Sequence, residues 1–427
     1  MDKYKLTKIV DNKIIKYLKQ YSLYGKGRRK MKNKGITLIA LVISIIVLLI
    51  LAGVTIAALS GDNGILTRAK EAKEKTEQAQ QEEEQTLSNI ENILENYKFE
   101  NVNADDTNPA GAMPSDVTIL ENDANKGIVI KDKNNNEWVW VEIPKTTVFS
   151  GLTIDTTREL TEQNYNDIKD SLVEYASIYR KSYDKNDEWY DGCGLTSKEY
   201  TTTYRLMLKN IYTYGGFWIG RYEAGIEGSI EDVSKARTEH SDIIIGTSPK
   251  AISQKDAIPY NWIYCSEAQA LAKEMTPDSN HTSNLMFGLQ WNLVCKFLEI
   301  KAGLTIEEIK SDSSNWGNYN NVTRTITSKK AKQEGTPWTS ITEIKPAETI
   351  LLSTGASEET NKMNIYDFAG NEFEWTLENS FNNESPCIYR GGSCNNQGVV
   401  FSAWYYNGYE IDNSYYSIAF RSTFYNN

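Results

Sequence analysis

The sequence predicts an α+β distal domain on a long N-terminal transmembrane and stalk α-helix. Three observations carry that prediction. Residues 36 to 59 read ITLIALVISIIVLLILAGVTIAAL without one charge. Residues 67 to 97 are built from Ala, Glu, Gln and Lys, all good helix formers. From residue 118 onward the composition turns rich in Trp, Tyr, Asn and Gly, with short strand and helix patterns in alternation. The boundaries expected are a basic leader over 1–35, a membrane helix over 36–59, a polar stalk over 60–97, a linker over 98–117 and the globular domain over 118–427.

Charge divides the chain. Residues 1–35 hold twelve Lys and Arg against Asp2 and Asp11, a net of +10, so the overall −11 leaves −21 downstream. A pI near 5.0 excludes a general nucleic-acid binder, which needs cations gathered on one face. The two histidines, His240 and His281, are too few for a zincin helix or a three-His iron site. As a helix, residues 36–59 would extend ~36 Å, enough to cross a ~30 Å hydrocarbon core. The positive-inside tendency keeps the basic block in the cytoplasm and the rest outside, which makes the membrane the first expected partner.

The junction Lys32-Asn33-Lys34-Gly35-Ile36 resembles the processing site of type IV prepilins and pseudopilins, where a basic leader ends in Gly and the apolar helix follows at once. That resemblance implies a prepilin peptidase as partner, cleavage between Gly35 and Ile36, and a short leader if translation starts at Met31. Ile36 stands where the family has Phe, and Ala40 where it has Glu. The missing carboxylate leaves a neighbouring amino terminus uncompensated, which argues against a structural minor pilin. Farther on, Leu66, Ala69, Ala72, Ala79, Leu87, Ile90 and Leu94 mark a weak apolar stripe along the stalk, and Asp62-Asn63-Gly64 breaks the rod. The segment 98–117, with its Asn, Asp, Pro and Gly, reads as a linker.

In the distal domain, 127–130 and 137–141 read as strands joined by the polar turn 132–136, and 217–223 as a central strand. Residues 266–275, with Ser266 as cap, and 291–300 read as two short helices, with long irregular stretches between. FWIGRYEAG at 217–225, AIPYNWIYCSEAQALA at 257–272, LMFGLQWNLVCKFL at 285–298, NIYDFAGNEFEWT at 364–376, YRGGS at 389–393 and SIAFR at 417–421 resemble, in order and spacing, the formylglycine-generating-enzyme or sulfatase-modifying-factor domain. The resemblance implies a C-type-lectin-like fold. It also implies calcium, held by Asp367, the carbonyls of Gly370 and Glu372, and Glu374; hard oxygen donors of this kind suit Ca²⁺.

The family's oxidative chemistry needs a close Cys pair after RGGS for copper, or three His for iron. Here Cys394 follows Ser393 and no Cys comes after it, so neither copper nor iron is expected. Cys193, Cys265 and Cys295 sit among apolar residues, and a bridge from Cys387 to Cys394 is one open pairing. The segment 394–421 is crowded with Tyr, Asn and Ser, the chemistry of binding loops. It also resembles the variable region of diversity-generating-retroelement proteins. Trp404, Tyr405, Tyr406, Asn407, Tyr409, Asp412, Asn413, Tyr415 and Tyr416 are expected to form one face for an extracellular protein or glycan ligand. The reading is a surface-anchored, non-catalytic binding or adhesion protein. The alternatives are an exported sulfatase-modifying oxidase and a minor pilin.

Overall fold

The computed structural model divides the chain into two units, Met1–Ile93 and Leu94–Asn427. It describes residues 41–45, 76, 99–180, 187–326, 330–333 and 336–427. In the first unit residues 41–45 and 76 are helical. Among the described residues no helix is long and apolar enough to cross a membrane. The rest of the expected membrane helix and stalk, with Gly35, Ile36 and Ala40, lies outside them.

The second unit is built on two sheets. In the larger, β1 (Thr118–Glu121), β2 (Val129–Lys131), β3 (Glu137–Glu142), β4 (Gly216–Gly220), β16 (Ser422–Asn426) and β7 (His281–Leu285) lie side by side in that order, each pair antiparallel. The strands β2, β3 and β4 match the expected ones, and β4 is central. In the smaller sheet the order is β14 (Tyr406–Tyr409), β13 (Cys387–Arg390), β12 (Phe373–Asn379) and β15 (Ile418–Phe420), with β12 and β15 parallel. Three two-stranded ribbons complete the set: β5 (Gly225–Ile226) with β6 (Ala251–Ile252), β8 (Arg324–Thr325) with β10 (Glu343–Ile344), and β9 (Ala331–Gln333) with β11 (Ile350–Leu352). This is a mixed arrangement of helices and largely antiparallel sheets.

Tryptophans fill the core of the larger sheet. Trp140 and Trp218 lie 5.0 Å apart, and Phe424 meets Trp138 edge-on at 4.9 Å. Each indole N–H has an acceptor, Trp138 on Asp132 and Trp140 on Thr107, as burial of a donor demands. Trp218 donates to the Ala112 carbonyl. Two of these acceptors lie in the stretch 98–117, which therefore belongs to the domain and is not a linker. Its Thr107 also donates to the Gly215 carbonyl at 2.8 Å, while Phe99, Val102, Met113 and Val117 pack on the core. The turn-forming residues that suggested a linker serve as its local turns: Asn103, Asp106 and Asn108 all accept or donate within it.

Besides the single turn α1 (Lys145–Val148), the helices are α2 (Glu162–Tyr175), α3 (Ser197–Tyr214), α4 (Cys265–Glu274), α5 (Gly288–Lys301) and α6 (Ile306–Lys310). Of these, α4 and α5 are the two expected. The expected cap of α4, Ser266, is inside the helix; Glu267 instead accepts the backbone N–H of Tyr264 at 2.9 Å. Residues 162–175 and 197–214, expected to be irregular, are helical because each starts on a capping box. Thr161 pairs reciprocally with Asn164, and Thr196 with Glu199. α3 buries Met207, Leu208 and Ile211, and Tyr200 donates to the Leu377 carbonyl on β12. It ends at Gly215, φ 69°, where a Cβ would lie 2.0 Å from the Asp106 carbonyl oxygen.

The chain passes from the smaller sheet to the larger at one residue, Arg421, between β15 and β16. Its guanidinium is fully buried and meets both oxygens of Glu374 at 2.7 to 3.1 Å, and it donates to the carbonyls of Gly220 and Tyr366. β12 and β4 are thereby tied to the crossover. A second buried pair, Arg390 with Glu378, joins β13 to β12 at 2.7 Å. Removing one member of such a pair strands the other charge, at a cost of about 3–5 kcal/mol. Arg421→Ala is expected to lower unfolding stability by about that amount in urea titrations followed by tryptophan fluorescence, and Arg421→Lys by nearly as much, since an ammonium cannot span the same acceptors.

Candidate ligand cavity

Between the end of the Tyr-rich segment and the loops around 237, 262 and 338 lies a cavity of about 600 Å³. Its aromatic wall is Trp262, Tyr415, Tyr416 and Trp338, and Leu351 of β11 and Ile258 give it apolar floor. Trp262 is held at φ 55°, a conformation a bulky residue seldom adopts, and one that marks a position over-determined by its surroundings. Those surroundings are visible. Its N–H donates to the Tyr415 carbonyl at 3.2 Å, and its carbonyl accepts Arg237 Nη2 at 2.8 Å. Its ring lies 6.2 Å from both Tyr415 and Tyr416, which are themselves 4.6 Å apart.

Asn261 locks the same corner. Its Nδ2 donates to Glu372 Oε1 at 2.8 Å and to the Tyr416 carbonyl at 2.7 Å. Asn395 donates to the Tyr416 hydroxyl. Cys394, also at the cavity, donates its backbone N–H to the Asn371 carbonyl at 2.9 Å. These hydrogen bonds fix the rings and loops of the cavity from behind.

Only Tyr415 and Tyr416 of the nine expected face residues line this cavity, so the single face anticipated from sequence is divided. β14 alternates sides: Tyr406 meets Arg390 at 5.0 Å and Trp404 at 5.7 Å, whereas Tyr409 turns against Tyr389 and Trp375. Trp404 donates its indole N–H to the Tyr179 carbonyl and stands beside Lys310, 4.7 Å away. Tyr405 packs on Phe401 at 4.6 Å. Asn407, with Tyr406, borders a separate polar pocket of about 370 Å³, and Asp412 is exposed. Asn413 donates to Glu410 at 3.4 Å.

The residues sequence reading did not select are Arg237, Asn261, Trp262, Trp338 and Asn395. Of these, Asn261 and Trp262 lie in the motif at 257–272, where an aromatic in a loop was the available signal.

None of the five cysteines is in a disulfide, and all are buried. Cys387 lies beside Cys265 and Tyr190, with Tyr190 Oη 3.5 Å from Cys265 Sγ, while Cys394 is at the cavity. The two therefore have different neighbours, and a Cys387–Cys394 bridge does not form.

Behind Asn261 is a fully buried group of four carboxylates, Glu223, Asp367, Glu372 and Glu374, gathered around Arg421. Burial, then the neighbouring carboxylates, pushes Glu223 well above the usual range. Burial does the same to Glu372, and raises Asp367 and Glu374 against the pull of Arg421. Burial also lifts Asp187 to about 6, opposed by Arg180.

The expected calcium set falls within this group. Asp367 accepts from the Gly355 N–H at 2.7 Å and the Thr360 hydroxyl at 2.8 Å, and both oxygens of Glu374 face the Arg421 guanidinium. A cation of the protein's own already stands at Glu374, so the set Asp367, Gly370, Glu372 and Glu374 does not fit a calcium shell. Elsewhere, ligand atoms of His240, Asp242 and Glu267 lie within 4.8 Å of one another. Glu267 there already accepts from His240 and from the backbone of Tyr264 and Ile243.

No family model matches the chain, and no curated protein matches its sequence. Among solved structures, Treponema denticola variable protein 1 is similar at 13% identity, over 49% of this chain and 84% of that one, with a TM-score of 0.28.

Two outcomes follow from the carboxylates. Because the folded state holds their protons more tightly than the unfolded chain, it binds more protons above the ordinary carboxylate range, and stability falls as pH rises. Melting temperature is expected to decline from pH 5 to pH 8, with a shallower decline in Glu372→Gln. Melting curves with and without a calcium-selective chelator are expected to coincide.

Proposed function

We propose that the protein is a surface-anchored, non-catalytic binding protein whose distal domain, of C-type-lectin-like type, presents the Trp262–Tyr415–Tyr416 cavity to an extracellular ligand. The observation that carries this reading is the built cavity itself. A strained Trp262, two tyrosines in tilted ring contact and an apolar floor are held in place by Asn261 and Asn395 from behind. A concave, mostly apolar site with a few placed polar groups is the usual form of a small-ligand site. The anchor is the charge-free segment 36–59 behind its basic leader, with prepilin-type processing at Gly35 as its route to the surface.

Two features favour binding over oxidation. Cys394 is the one thiol among the cavity-lining residues, so a two-thiolate copper site has no second ligand there. The side chains around it are aromatic and amide, suited to contact. The region 394–421 supplies both cavity residues, Tyr415 and Tyr416, and exposed Asn407 and Asp412, which is where sequence variation would alter ligand choice without touching Arg421 or Glu374. An adenine-variable near-copy of its coding DNA beside a reverse-transcriptase gene would support that variation.

The test is binding of the detergent-solubilised full chain to glycan and peptide arrays, beside a Trp262→Ala/Tyr415→Ala variant. Loss of two aromatic anchors at ~2 kcal/mol each is expected to reduce captured signal by well over tenfold. Unchanged capture would count against the cavity, and copper-dependent oxygen consumption with a thiol peptide would restore the oxidase reading.

A further inference from the structure

Resting on that reading of the cavity, we propose that it selects a ligand joining a carboxylate to an aromatic ring, as in the C-terminal residue of a peptide or a free N-acylated aromatic amino acid, with Arg237 as the carboxylate's partner.

Charge is the first ground. The chain carries −11 overall, yet among the described residues that line the cavity two are cations, Arg237 and Lys332, and none is Asp or Glu. Among the described residues neither cation forms an ion pair. Arg237 is half-buried, with Nη2 fixed on the carbonyls of Ser241 and Trp262 and its face against Tyr260 at 5.7 Å. A guanidinium drawn partly out of water and left without a carboxylate is costly unless something brings one. Of the described acids nearby, Glu267 is engaged with His240 and Glu372 with Asn261.

Unsatisfied polar atoms are the second ground. Three residues of this one cavity have a buried polar atom with no partner among the described residues: Arg237 Nε, Trp338 Nε1 and Asn261 Oδ1. Buried polar groups are nearly always paired, so three orphans around one cavity call for an explanation. Two are donors and one is an acceptor. A carboxylate supplies acceptors for the donors, and an adjacent amide N–H supplies a donor for Asn261. The aromatic wall supplies the place for a ring, and about 600 Å³ holds a single acylated amino acid or a chain end but no folded partner.

The experiment is isothermal titration calorimetry on the detergent-solubilised full chain with N-acetylphenylalanine, its neutral amide, and a pentapeptide ending in a free phenylalanine carboxylate. The acid is expected to bind at least about tenfold more tightly than the amide. Arg237→Gln should collapse the ratio of acid to amide affinity toward one, whereas Arg237→Lys, which also gives up the guanidinium's contacts with the Ser241 and Trp262 carbonyls but keeps the charge, should retain most of that ratio. Trp338→Phe, which keeps the ring and removes the donor, should weaken the acid several-fold. A pentapeptide tighter than N-acetylphenylalanine identifies a chain end as the natural ligand, and the reverse identifies a small molecule; both support the proposal. Equal affinity of acid and amide for the unaltered protein overturns carboxylate selection while leaving the cavity a ligand site. Absence of binding by any of the three overturns the proposal, and the array experiment then decides separately whether the cavity binds anything.

Discussion

The buried contact between Arg421 and Glu374 is the constraint on which the rest of the domain depends. Arg421 is the single residue between the last strand of the smaller sheet and the central strand β16 of the larger one, and it donates to β12, to Gly220 at the end of β4, and to Tyr366. One planar fork thus fixes the relation of the two sheets and of the loop that precedes β12. The cost of burying it is offset by acceptors at all three of its nitrogens, which a hydrophobic replacement would leave unpaired at a crossover lined by carbonyls. Burial pushes Glu223 and Glu372, two of the neighbouring carboxylates, well above the usual carboxylate range, which favours their uncharged forms.

That clamp reaches the cavity through short links. Glu374 and Glu372 lie on and just before β12; Glu372 accepts from Asn261; Asn261 holds the carbonyl of Tyr416; and the Tyr416 ring meets those of Tyr415 and Trp262 at a tilt. The strain at Trp262 persists because these contacts over-determine it. The frame and the site are thus separable in sequence but continuous in hydrogen bonds. Residues facing the cavity can change while the network behind them stays.

How much of this was legible in the sequence depended on the range of the interaction. β2, β3, β4, α4 and α5 declared themselves because alternation or helical spacing is local. The helices α2 and α3 were concealed by polar composition, although the boxes Thr161/Asn164 and Thr196/Glu199 were readable signs of their starts. The stretch 98–117 resembled a linker because its anchors, Trp140, Gly215 and Trp218, are distant in sequence. At the candidate cavity, Tyr415 and Tyr416 belong to the segment whose Tyr and Asn content marked it in the sequence. Tyr405 and Tyr409 were assigned to the same surface, yet packing on Phe401 and Tyr389 draws them inward. Arg237 and Trp338 come from loops with no pattern of their own, and only the fold brings them to the cavity. The calcium ligands were legible as a motif, but the cation that meets Glu374 is Arg421, forty-seven residues away.

The central claim is that a rigid two-sheet frame carries a local aromatic cavity as its site of contact. The most direct measurement is ¹⁹F NMR of the full chain labelled with 5-fluorotryptophan and titrated with N-acetylphenylalanine. The account predicts that the resonances of Trp262 and Trp338 move while those of the core residues Trp138, Trp140, Trp218 and Trp375 stay fixed. Binding that shifts the core resonances, or leaves Trp262 and Trp338 untouched, would contradict it.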